Sequence, residues 1–176
     1  MFEITPISPE HYRQQTRRST ALVALIFVAL AMLLAALSVQ LFGEPGGADN
    51  FRWNLLGVAL GFVLTVVLVR QQFWHREWMA AAVYGWRLKR SLMRITNVMH
   101  HVKAGVVQGD EAAMKLLRFY HLGVTQMHQL DGNSSELSQM VHEIDAHRDV
   151  MLQRGLELEQ TRLDPAWLEQ VKAVKA

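Results

Sequence analysis

"ALVALIFVALAMLLAALSVQLF", Ala21 to Phe42, is a run of twenty-two residues without a charged side chain. At about 1.5 Å per residue a helix over this run extends roughly 33 Å, enough to cross the hydrocarbon of a bilayer. A second uncharged run, "WNLLGVALGFVLTVVLV" from Trp53 to Val69, extends roughly 26 Å, which suffices if the interfacial aromatics Trp53, Phe73 and Trp74 complete it. Helices apolar all round need a large protein to hide in, and a chain of 176 residues is too small to bury two of them. Some twenty residues precede the first run and no small-residue cleavage site follows it before "GEPGG", so a cleavable signal peptide is not expected.

Between the runs lies "GEPGGADNFR", rich in turn-forming glycine and proline, so the spans are read as an antiparallel hairpin. Arg13, Arg17 and Arg18 precede the first span and Arg70 and Arg76 follow the second, whereas the connection holds Glu44, Asp49 and only Arg52. Basic residues mark the cytoplasmic flank, which places both termini in the cytoplasm. Ala31 and Ala35 on the first span, and Gly57 and Gly61 on the second, are small residues four apart. They permit close helix packing, either inside the hairpin or between copies of the chain. Neither span contains an ionisable residue, so the usual marker of proton relay or transport is missing.

Outside the spans the apolar spacing is helical throughout, with no alternating strand pattern. Ser8 and Pro9 stand as N-cap and first helical residue of a segment running into the membrane. From Ala81 the positions Tyr84, Leu88, Leu92, Ile95, Met99 and Val102 form the stripe of one long amphipathic helix, with Gly105 placed to end it. Asp110 opens the next helix, striped by Ala113, Leu117, Tyr120, Val124 and Met127, and "DGNSSE" breaks it. Asn133 and Glu136 form a capping box for a third helix with Leu137, Met140, Ile144 and Met151 inward. Asp164, Pro165 and a Leu163–Leu168 staple announce a short last helix, on which Trp167 docks.

The expected fold is therefore all-α: a two-helix transmembrane hairpin followed by a small cytoplasmic bundle of three main helices and a short C-terminal helix. Its divisions are an N-terminal helical segment at 1–20, a first span at 21–42, a turn at 43–52, a second span at 53–70, an interfacial segment at 71–80 and a helical domain at 81–176. No proline interrupts Trp53 to Gly105, so the second span and the basic helix can form one rod.

Chemistry is harder to find. Cysteine is absent, which removes thiolate metal sites and disulfides, and there is no nucleophile elbow or phosphate loop. No cofactor is required. Among the eight histidines, His121 and His128 project to the polar side of their helix beside Arg118, on a solvated face, while His147 falls on the inward stripe as a hydrogen-bonded core residue. If these helices pack antiparallel, His121 comes within reach of His147 with Glu143 or Asp145 nearby. His121, His128 and His147 are thus the residues that would bind metal or haem. His100 and His101 project about a hundred degrees apart and do not form a paired ligand.

The formal net charge of +2 hides a basic block, with seven cations against Glu77 between Arg70 and Lys103, followed by an acidic half. Arg87, Arg90, Arg94 and His101 form one outward stripe, with Trp86 projecting elsewhere. Just below a membrane this stripe suits anionic lipid or an acidic partner; nucleic acid would want interleaved aromatics and is not expected.

The stretches "YRQQTRRST" (12–20), "FRWNLLGV" (51–58), "YGWRLKRSLMRITNVMHHVKAG" (84–105), "MKLLRFYHLG" (114–123) and "QMHQLDGNSSELSQMVHEIDAHR" (126–148) resemble an uncharacterised family of short gammaproteobacterial two-span membrane proteins, a domain of unknown function. The resemblance implies a bacterial inner membrane and brings no activity, cofactor or catalytic residue. The function expected on these grounds is a non-enzymatic anchor, scaffold or accessory subunit, contacting membrane lipids and forming a homo-oligomer or joining a membrane protein complex. The alternatives are a module responding to metal or haem through the histidines, or one sensing anionic lipid through Arg87, Arg90 and Arg94.

Overall fold

The computed structural model describes residues 2–44 and 49–173, with the side chains of 134–137 and 139 excepted. Among these the elements run β1 (Phe2–Glu3), α1 (Pro9–Phe42), α2 (Phe51–Leu68), α3 (Ala80–Thr96), α4 (Met99–Gln108), α5 (Glu111–Asp131), α6 (Ser134–Gln153), β2 (Arg162–Leu163) and α7 (Pro165–Lys172). The fold is all-α apart from one two-residue strand pair. It divides into two compact units: residues 14–83, and the remainder, in which the N-terminal residues through Arg13 join those from Tyr84 onward.

In the first unit, α1 and the helical stretch Phe51–Phe73 are long and apolar enough to cross a membrane, with 11 % and 17 % of their most apolar parts buried. Where the two helices meet, the contact is made by small residues. Gly57 and Gly61 are buried, and a methyl group at Gly57 would overlap the Ala35 backbone, while one at Gly61 would come within 2.8 Å of the Ala31 Cα. Such closeness maximises dispersion between the two helices. Buried Thr65 satisfies its hydroxyl by donating to its own Gly61 carbonyl at 2.7 Å. Phe27 and Phe62 meet edge to face at 6.2 Å, and Phe42 stacks on Trp53 at 5.2 Å near the connection. There Asn50 Nδ2 donates to the Glu44 carbonyl at 3.1 Å. The middle of the expected turn at 43–52, residues 45–48, lies outside the described residues.

The second span does not run on into α3. After Leu68 the helix widens into a π-turn at Val69–Phe73, turns at Trp74, and passes through an extended Arg76 (φ −79°, ψ 143°) and a 3₁₀ turn at Glu77–Met79. Ser19 Oγ of α1 lies 2.5 Å from the Trp78 carbonyl and 2.8 Å from that of Gln15. The absence of proline permits a rod without making one, and the extended backbone at Arg76 ends it.

In the other unit α5 is the central element, packed against α4, α6 and α7. Its core comprises Ile95, Val102, Ala113, Leu116, Leu117, Phe119, Leu163, Leu168 and Val171, with Phe2, Ile4 and Trp167 packed against it. Asp110 caps α5 by accepting from the Ala113 amide at 2.7 Å, and Asp164 caps α7 through Ala166 at 2.8 Å with Pro165 at the first position. Gly123 lets α3 close on α5, since a methyl there would meet Leu92 Cδ2 at 2.8 Å.

Two expectations need correction and a third needs extension. The helix read from Ala81 to Gly105 is two: it breaks at Asn97–Val98, and Gly105 is buried inside α4, which ends instead at Gly109 with φ +78°. No glycine or proline marks the break, so the apolar spacing runs across it unaltered. The stripe read for α5 is also too narrow, because Ala112, Met114, Leu116, Phe119, His121, Gly123, His128 and Leu130 are buried as well. Asn133 stands at the N-cap of α6, but the side chains of Glu136 and Leu137 lie outside those described.

The third point concerns the N-terminus: the helix begins at Pro9 and runs on through the first apolar stretch as read, and residues through Arg13 also join those from Tyr84 onward. Phe2 pairs with Leu163 and Glu3 with Arg162 in antiparallel register, and the Ile4 amide donates to the Thr161 carbonyl at 2.8 Å. Thr5 donates its amide to Tyr84 Oη at 3.1 Å; that hydroxyl donates to Gln126 Oε1 at 2.6 Å, and Gln126 Nε2 donates back to the Thr5 carbonyl at 2.6 Å. Tyr12 is buried against α3, with its hydroxyl where a Gly85 side chain would stand. Arg13 Nη1 comes within 3.5 Å of the Gln129 and Leu130 carbonyls at the end of α5, a favourable place for a cation.

Two outcomes follow. Gly57→Leu or Gly61→Leu should force the spans apart and lower stability in detergent by about 1–3 kcal/mol, read as a loss of thermal midpoint. Ala59→Leu, at an exposed position of the same helix, should leave the midpoint unchanged. Tyr84→Phe should cost about 1 kcal/mol and speed hydrogen exchange at the Ile4 and Thr5 amides about fivefold.

Candidate functional site

Two buried histidines meet where α5 packs against α6. His121 is 1 % exposed and His147 6 %, with their rings edge to face at 5.3 Å between centroids. The pairing anticipated between antiparallel helices is therefore present. What differs is the setting: His121 and His128, read as solvated, are both buried. About a hundred degrees separates the Ala113 stripe from Met114, and α6 covers that second face.

His147 is fixed by a 3.0 Å contact between Nε2 and the Met114 carbonyl. A carbonyl only accepts, so the proton sits on Nε2. His121 Nδ1 is buried and has no hydrogen-bond partner among the described residues. Burial pushes the His121 pKa down to about 4, helped by the neighbouring His147 and opposed by Glu143. Burial also lowers His147, opposed by its bond to Met114. Arg118, whose Nε donates to the Leu158 carbonyl at 3.0 Å, is lowered by burial and by Arg148, and raised by Asp145. Glu143 itself turns outward to Lys103 at 3.3 Å. The pair is thus neutral at ordinary pH, a polar element built into an otherwise apolar seam.

The third residue expected with them, His128, is not there. It is seven residues from His121 along α5, about 10 Å of helix rise. Among the described residues no three His, Asp or Glu side chains converge as metal ligands. His100 and His101, expected to diverge, bring their rings to 3.9 Å, since they open α4 just past the break at Asn97–Val98.

The basic stripe also differs from expectation. His101 lies beyond that break on α4, so the stripe is confined to Arg87, Arg90 and Arg94 of α3, all exposed. Trp86 belongs with it: the Arg90 guanidinium lies 4.9 Å over the indole centroid. The sequence signal was available, because residues four apart share a helix face. The small residues Ala31, Ala35, Gly57 and Gly61 face one another inside the hairpin.

The histidine pair makes stability pH-dependent. Its members are held below 6.5 in the folded chain, so between about 4 and 6.5 the unfolded chain binds protons that the folded one excludes. The stabilisation is complete above 6.5 and is lost as pH falls toward 4, at a cost of about 3 kcal/mol from His121. Thermal unfolding across this range should show the fall, and His121→Gln should flatten it.

No curated protein and no solved structure matches the chain. A family match does exist, over residues 2–168, to the family described as "Protein of unknown function (DUF3087)". A match over nearly the whole chain carries its conclusion: the protein belongs to that family.

Proposed function

We propose that the protein is a non-enzymatic anchor or accessory subunit of an assembly in a bacterial cytoplasmic membrane. The observation that carries this reading is the pairing of Phe2 and Glu3 with Leu163 and Arg162. Residues joined in one folded unit lie on one side of a membrane, so the chain between them crosses an even number of times. Two helices between them are long and apolar enough to do so. Arg13, Arg17 and Arg18 in the N-terminal part of α1, and Arg70 and Arg76 beyond α2, favour the cytoplasm for both ends.

An anchor also fits the interior of the hairpin. The spans offer no ionisable side chain, and the buried hydroxyl of Thr65 is spent on its own helix. Because the small residues are consumed within the hairpin, a partner in the membrane must use the outer faces, where Leu25, Met32, Leu33 and Phe62 are exposed. A second copy and a different membrane protein both suit such surfaces.

Labelling of single cysteines in a chain that has none tests the topology. In intact spheroplasts Asp49→Cys should react with an impermeant maleimide, while Glu3→Cys and Arg162→Cys should react only after lysis. Native mass spectrometry of protein extracted in mild detergent should give a mass above that of one chain. Monomer alone, with nothing co-purifying, would sink the assembly role.

A further inference from the structure

The outward face of α3 is built like a membrane-surface helix. At about 100° per residue, Met93, Trp86, Asn97, Arg90, Arg94 and Arg87 fall in that order within an arc of about 120°. All six are exposed, Met93 by 64 % and Trp86 by 43 %. On the opposite side Leu88, Leu92 and Ile95 are buried in the core. The arc has three permanent cations and no acid, and among the described residues none of the three arginines is in an ion pair. The adjacent Lys89, at its edge, is the one turned to an acid, Asp131 at 3.1 Å.

We propose that this face of α3 binds the headgroups of anionic phospholipids. Three observations converge on that partner. Charge is complementary, since a cytoplasmic leaflet attracts each nearby arginine by about 1 kcal/mol. Apolar Met93 and indole Trp86 border the cations along one edge of the arc, so that one exposed face offers both an apolar and a cationic strip, as does a helix that lies in an interface. Finally, the same chemical pair recurs at both ends of the second span: Arg52 lies 5.2 Å over Trp53, and Arg70 lies 4.8 Å over Trp74. Those are positions where interfacial aromatics mark headgroup depth. The Arg90–Trp86 pair has the same make-up. Covalent reach also allows the contact, because only six residues separate Phe73, the end of the second span, from the start of α3 at Ala80. A nucleic acid is a poorer match: three charges give little counterion release, and one face of Trp86 is already covered by Arg90 rather than offered to a base.

The proposal rests on the membrane reading given above, and its test separates the two. Met93→Cys in the full chain, the sole cysteine, takes an environment-sensitive fluorophore. The protein is then reconstituted in nanodiscs of phosphatidylcholine alone or mixed with phosphatidylglycerol, each with a nitroxide at the lipid headgroup. Quenching should be strong in the anionic discs, weak in the neutral ones, and lost as salt is added. The triple variant R87Q/R90Q/R94Q should weaken the contact about a hundredfold and abolish quenching. R87K/R90K/R94K should restore it, and unaltered thermal unfolding of both shows that the fold survives. Equal quenching in the two kinds of disc, quenching that survives the glutamine variant, or a label shielded by added polynucleotide but not by anionic lipid would each overturn the proposal. Failure of the chain to enter discs at all would overturn the membrane reading instead.

Discussion

A few hydrogen bonds close a circuit of nearly the whole chain, and the rest of the structure depends on them. The Ile4 amide meets the Thr161 carbonyl, and Thr5 is held by Tyr84 and Gln126. For a flexible chain, joining ends about 160 residues apart costs only about 2 kcal/mol more than joining ends a tenth as far apart, because the cost grows with the logarithm of length. The burial of Phe2, Ile4 and Tyr12 is enough to offset it. A circuit closed in this way is compatible only with an even number of membrane crossings between its ends, and two long apolar helices held at backbone contact by Gly57 and Gly61 lie between them.

What the sequence made legible was whatever is written in long runs or in single strong signals. The spans stand out because uncharged stretches of this length have few other uses, and the caps at Asp110 and Asp164 stand out because a carboxylate before a helix satisfies orphan amides. What stayed hidden was set by tertiary contacts. A strand of two residues is too short to show alternation, so Phe2–Glu3 left no trace. The break at Asn97–Val98 carries no glycine or proline, and the apolar spacing passes through it. His121 and His128 were misplaced for a general reason: a helix at the centre of a bundle is buried on more than one face, while a single stripe describes a helix buried on one.

The histidine pair shows what such centrality does to chemistry. His121 gives up hydration for a position where its Nδ1 has no partner among the described residues, and the unit tolerates it because the ring is neutral and packs edge to face on His147. The polar pair sits at the α5–α6 contact, where Met114 supplies the carbonyl that fixes one ring. A buried neutral imidazole tied to one backbone atom specifies which turn of α6 faces which turn of α5.

The strand pair also imposes an order on how the protein is made. Phe2 and Glu3 leave the ribosome long before Arg162 and Leu163; at common synthesis rates the gap is roughly ten to thirty seconds. During that interval the N-terminal residues have no partner. On the membrane reading proposed above, the two apolar helices enter the bilayer in the same interval, and the unit that holds both strands completes itself only afterwards. On that reading, docking of β1 onto β2 is a latch that closes when both spans are in place, and a chain with a single crossing would hold its two strands on opposite sides of the membrane.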